Sequence, residues 1–125
     1  MIIGIGIDMI ETERVAKKIS GDIGFREYVF SSSEIEYCEA KTNKAEHYAA
    51  RFAAKEALLK AFGTGLLGGL NLNEITITSD ESGKPSLKFT GETAEKISLK
   101  GELNYHVTMS HLKSIACAMV IIEKK

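Results

Sequence analysis

From residue 44 to residue 62 the chain is an almost unbroken run of strong helix formers, with apolar and polar positions mixed at helical spacing. Gly63, which adopts positive φ without steric cost, is placed to end it. The pattern predicts a helix from Lys44 to Phe62, roughly five turns and the longest element, with Asn43 able to cap its start. On a wheel of about 100° per residue, Glu56 and Lys60 lie one turn apart, with Phe52 and Leu59 to one side and Ala53 and Ala57 to the other. A carboxylate among apolar neighbours needs a partner, because an unpaired buried charge is costly. Lys60 would make an ordinary ion pair. A metal ion would serve equally and leave Lys60 for an anionic substrate. Helix position does not separate the two.

Alternating positions predict the strands. Ile2 to Asp8 sets Ile3, Ile5 and Ile7 on one face and Gly4, Gly6 and Asp8 on the other, so the glycines mark a close approach by another element or a ligand. Asp8 then ends a strand, where it could simply cap the helix predicted from Glu11 to Ile19. Arg14, Lys17 and Lys18 form a basic stripe on that helix, a solvated face or a docking surface. Phe25 to Phe30, containing Arg26, is a short apolar-basic segment. Ser31 to Glu34 has capping-box form and opens a helix reaching about Lys41. Further on, Glu74 to Ser79 and Ser86 to Phe89 read as a hairpin around the turn Asp80 to Pro85, followed by a helix from Gly91 to about Ile97. Tyr105 to Ser110 is a strand with His106, Thr108 and Ser110 on one face. His111 to Ser114 turns the chain into Ile115 to Ile122, an apolar strand expected to be buried on both faces.

Composition narrows the class. The 125 residues fit one domain over residues 1–125, and 44% hydrophobic content supplies a modest core. No apolar run is long enough to span a membrane, and the start of the chain makes a poor signal peptide, so a cytoplasmic location is expected. The formal net charge of −1 gives no general attraction to nucleic acid, and any acidic partner must meet a local patch. The two cysteines fit neither a stapled fold nor a zinc site, and Cys117 reads as a small buried hydrophobe. His47 is expected on a solvated helix face. Gly63 to Gly69 contains G-x-G-x-x-G but follows a helix and leads towards a strand, the wrong context for a dinucleotide site. A glycine loop offering N–H groups to phosphate remains.

Asp8, Glu56 with Lys60, and His106 with Thr108 and Ser110 thus stand out on apolar or glycine-rich surfaces. Two carboxylates without an adjacent histidine or thiolate suit a hard cation, and magnesium takes one or two carboxylates plus phosphate oxygens and water. Gly4-Ile5-Gly6-Ile7-Asp8 with Arg14, Arg51-Phe52-Ala53-Ala54-Lys55-Glu56-Ala57 through Lys60 to Gly65, Gly83-Lys84-Pro85, and His106 to His111 together make the sequence resemble the holo-acyl-carrier-protein synthases. These are the small, single-domain type of 4′-phosphopantetheinyl transferase.

The resemblance implies transfer of phosphopantetheine from coenzyme A, as substrate, to a serine of apo-acyl-carrier protein, in support of fatty acid biosynthesis. It implies Asp8 and Glu56 as Mg²⁺ ligands and Lys60 on the β-phosphate region. Lys60, Gly63, Gly83, Lys84, Pro85, His106 and Thr108 fall in the coenzyme A region. The family's commoner residue at position 108 is serine, and threonine keeps the hydroxyl. Arg14 and Arg26 match positions facing the carrier protein, and the stripe that Lys17 and Lys18 form with Arg14 offers a local basic surface to such an acidic partner. A homotrimer with sites between subunits is also implied, with His106 facing Asp8 and Glu56 across an interface. The expected fold is α+β, a small, mostly antiparallel sheet packed around one long central helix. The alternative is a non-catalytic oligomeric module binding a nucleotide or a carrier protein, which would keep the fold and the basic stripe but not need both carboxylates.

Overall fold

A computed structural model describes residues 1–63 and 69–125. The order of elements is β1 (Ile2–Glu11), α1 (Thr12–Gly21), α2 (Phe25–Val29), α3 (Ser32–Glu39), α4 (Lys44–Phe62), a 3-10 turn (Leu72–Glu74), β2 (Ile75–Ser79), β3 (Pro85–Phe89), α5 (Gly91–Ser98), β4 (Leu103–His111) and β5 (Ile115–Lys124). The fold is α+β. Two antiparallel sheets form, β1-β5-β4 and the hairpin β2-β3, in place of one.

The long helix is central, as its composition predicts. From Tyr48 to Ala61 it is buried nearly all round, and Lys60 is the one exposed position in that span. Its alanines are the reason it can be approached so closely. Gly4 and Gly6 of β1 lie directly on the backbone of Ala61 and Ala57, with no room for a side chain between them. The two glycines of the strand therefore answer a helix rather than a ligand.

Gly63 ends α4 with φ 87°, and its N–H donates to the carbonyls of Leu59 and Lys60. That donor is thus consumed by the helix terminus. Thr64 to Gly68, most of the glycine loop, lie outside the described residues. Asn43 sits at the start of α4 but makes no side-chain cap. Ser31 and Glu34 do form the reciprocal capping box of α3.

Several expectations are corrected. β1 runs three residues beyond Asp8 to Glu11, so Asp8 is not a strand-end cap for α1. The segment Phe25 to Phe30, to which the pattern assigns no element, contains the short helix Phe25–Val29. His111 belongs to β4, and the turn that follows spans Leu112 to Ser114. β5 buries one face only, since Ala116, Ala118, Val120 and Ile122 are enclosed while Met119 is 37% exposed. α4 covers just one side of the three-stranded sheet. Cys117 lies on the uncovered side and is half-buried; the enclosed cysteine is Cys38. His47 is not solvated either, because its ring packs edge-on against Tyr37 and His111, and that burial lowers its pKa.

Candidate active site

Alternation along β1 turns Gly4, Gly6 and Asp8 towards α4, and turns Ile3, Ile5 and Ile7 away. Asp8 therefore arrives beside the helix because two glycines before it let the strand lie close. On α4, Lys60 reaches across, and its Nζ donates to Asp8 Oδ1 at 3.0 Å and to the Ile7 carbonyl at 3.1 Å. Lys60 thus pairs with Asp8 rather than with Glu56, its neighbour one turn away.

Glu56 and Asp8 line one cleft of about 290 Å³, together with Met9, Ile10, Arg14, Lys18 and Phe52. Burial raises the Glu56 pKa, the negative charge of Asp8 raises it further, and Lys60 lowers it. Glu56 thus senses the charge of Asp8, and among the described residues only Asp8 of the two forms an ion pair. Such a donor set fits a divalent cation: two oxygen ligands, and like charges that a positive ion would reconcile. Among the described residues no group of three His, Cys, Asp or Glu side chains gathers for a metal, so further ligands would be water or substrate oxygens.

The basic stripe divides. Arg14 and Lys18 line the cleft, and the Lys18 ammonium also lies 5.6 Å from the centre of the Phe25 ring. Lys17 faces solvent and pairs with Glu13 at 3.3 Å. Arg26 is elsewhere, bound to Glu27 and Glu39 in a second groove with Lys44 and Tyr48.

His106 and Thr108 are exposed on β4. Through the register His106–Ile121–Ile5 they share the outward face of the sheet, opposite to Asp8. One chain therefore does not bring them to the carboxylates. His106 Nε2 lies 3.1 Å from Glu123 Oε1. Gly83 and Lys84 lie in the hairpin turn of the other sheet and Pro85 opens β3; Gly83 has φ 87° and Asp80 Oδ1 accepts from the Ser82 and Lys84 amides.

Residue-by-residue reading missed the deepest polar pair. Lys55 Nζ and Glu34 Oε1 meet at 2.6 Å with both side chains fully buried. The available signal was a lysine inside Ala53-Ala54-Lys55-Glu56-Ala57, on a different side of the helix from its acidic neighbour.

The profile of the 4′-phosphopantetheinyl transferase superfamily matches residues 4–120. The chain belongs to that superfamily. Among its relatives in this superfamily, a holo-(acyl-carrier-protein) synthase from Cytophaga hutchinsonii is 44% identical over 99% of both chains. Another from Syntrophus aciditrophicus is 42% identical over 98% of this chain and 97% of its own. The Bacillus anthracis enzyme, solved in complex with CoA (3′,5′-ADP), is 34% identical with a TM-score of 0.82, covering 100% of this chain and 99% of its own. The Neisseria meningitidis enzyme reaches a TM-score of 0.88 at 29% identity, covering 99% and 100%.

Proposed function

We infer that this transferase moves the 4′-phosphopantetheine arm of coenzyme A onto a serine of apo-acyl-carrier protein. The carrying observation is that Asp8 and Glu56, remote in sequence, line one cleft, with Lys60, one turn on from Glu56, bonded to Asp8 at its edge. A non-catalytic binding module would have no need of both carboxylates in one cleft, with the charge of Asp8 acting on Glu56. In the reaction the serine oxygen bonds to the phosphorus bearing the pantetheine arm. The bond from that phosphorus to the bridging oxygen breaks, the serine proton is lost, and adenosine 3′,5′-bisphosphate leaves. On this reading the product serves fatty acid biosynthesis in the cytoplasm. Among the described residues no helix is long and apolar enough to cross a membrane.

Asp8 and Glu56 are the residues that would hold magnesium, which when bound offsets the charge of the pyrophosphate. Lys60, 57% exposed at its side chain, offers its ammonium to phosphate oxygens on the open side of the cleft. Positioning and electrostatics then carry most of the rate, as in other phosphoryl-type transfers. The deciding assay is mass spectrometry of apo-carrier protein incubated with coenzyme A and magnesium. A phosphopantetheine adduct is expected, and its absence under saturating conditions would remove the reading.

Arg14 and Lys18, beside the carboxylates, form a local basic edge for an acidic carrier protein, joined by Lys17 and Arg26 at longer range. Arg14→Glu is expected to raise the carrier protein's KM by roughly tenfold at low salt, with the KM of coenzyme A nearly unchanged. Steady-state kinetics with each substrate varied in turn checks this, and equal effects on both would count against it.

The uncovered sheet face supports a homotrimer with shared sites. Ile3, Ile5, Ile7 and Met9 are 51–63% exposed in the single chain, a continuous apolar strip that association would bury. His106, Thr108 and the Gly83-Lys84-Pro85 turn would then serve coenzyme A bound at a neighbouring copy's Asp8, with Gly63 at the end of α4 helping to frame the site. Inactive His106→Ala and Glu56→Gln chains, mixed and reassembled, are therefore expected to regain part of the activity. Sedimentation gives the oligomeric state in the same samples. No recovery from mixed, fully assembled trimers would place each site within one chain.

A further inference from the structure

The buried Lys55–Glu34 pair is used by nothing described so far. Lys55 Nζ donates to the carbonyls of Val29 at 2.8 Å, Leu72 at 2.8 Å and Ile75 at 2.6 Å, besides Glu34. Four acceptors lie within reach of it, and the ammonium, with three N–H bonds, serves more of them than the two N–H bonds of a neutral amine would. Glu34 in turn accepts from the amides of Ile77 at 3.0 Å and Ser31 at 3.0 Å. One lysine therefore ties α4 to α2, α3, the 3-10 turn and β2.

Stability is a poor explanation for such an arrangement. A buried ion pair is often replaceable by apolar residues at no cost, because desolvation consumes its attraction. What it does supply is direction. Lys55 precedes Glu56, so their side chains leave α4 about 100° apart. Lys55 grips one side of the helix, and the contact of Gly4 and Gly6 with Ala61 and Ala57 fixes another. A rotation of the helix by roughly 20° would carry an atom about 6 Å from its axis through roughly 2 Å, while misplacement by about 1 Å can cost on the order of 10²-fold in rate.

We propose that Lys55, with Glu34, is a positioning pair that locks the rotation of α4 and so aims Glu56 and Lys60 at Asp8. The proposal rests on reading Glu56 as a cation ligand.

The test uses the full-length Lys55→Met/Glu34→Gln protein, which removes both charges together. Mn²⁺ binding is read by electron paramagnetic resonance without coenzyme A, well below the unfolding midpoint. Folded double variant is expected to bind Mn²⁺ about 10- to 100-fold more weakly. Its kcat should fall by about 10²-fold with the carrier protein's KM unchanged, since Arg14 and Lys18 lie on another helix. A folded variant within twofold of wild type in both Mn²⁺ affinity and kcat overturns the proposal. Should the double variant not fold, Glu34→Asp decides. It keeps both charges and shortens one arm by a methylene, so Mn²⁺ affinity should drop about tenfold, and wild-type affinity would refute the positioning role. Glu56→Gln is the control for the underlying reading: unaltered Mn²⁺ binding there would discard the ligand assignment, whatever the other variants do.

Discussion

Glu56→Gln is expected to lower kcat/KM for transfer by on the order of 10²–10³-fold and to leave the protein folded. The amide keeps the shape of the side chain and one acceptor oxygen, but it cannot balance a divalent cation against pyrophosphate. The same change should make the cation-free protein more stable at neutral pH. Burial and the charge of Asp8 raise the Glu56 pKa above its ordinary value of 4.5. Between those two values the unfolded chain binds fewer protons than the folded one, so stability falls as pH rises through the interval. The loss is complete above the folded pKa, and glutamine removes it. Magnesium should then stabilise wild type by mass action and scarcely affect the variant. Thermal unfolding of both proteins across pH, with and without magnesium, checks all three expectations. Full activity in Glu56→Gln, or a variant less stable than wild type without cation, would contradict them.

Gly6→Ala should be the most damaging single-methyl change. A Cβ at this position would strike the Ala57 carbonyl and come within 2.7 Å of the Ala61 amide nitrogen. Both are backbone atoms in the middle of a buried helix, so no flexible side chain can move aside. Forcing them apart is expected to cost about 3 kcal/mol or more, a loss of roughly 10 °C in the unfolding midpoint for a chain of this size. Activity should suffer beyond stability, because the shift lifts β1 from α4 and stretches the 3.0 Å contact between Asp8 and Lys60. Calorimetry, with kinetics well below the midpoint, separates the two effects. By contrast, Gly21→Ala meets nothing within 4 Å and should be nearly neutral.

Much of this architecture was legible beforehand, for identifiable reasons. The bounds of α4 follow from propensity and from the glycine that stops it, both local properties. The alternation of β1 correctly put Asp8 with Gly4 and Gly6, because side-chain direction in a strand is a matter of counting. The same counting misled for β5. An apolar run on both faces predicts a strand enclosed on both, whereas within the chain only the side under α4 is covered. His47 was misplaced because its neighbours Tyr37 and His111 come from distant segments.

The sequence by itself determined the helix, the strands, their facing and the residues with chemical potential, since these depend on short-range geometry. Tertiary structure alone decided the partners: that Lys60 answers Asp8, that Glu56 is left with a neighbouring negative charge, that His106 lies across the sheet from both, and that Lys55 is sunk among carbonyls. Each of those depends on which distant segments meet, and electrostatic and hydrogen-bond energies are set by distances of a few ångströms that no local pattern encodes.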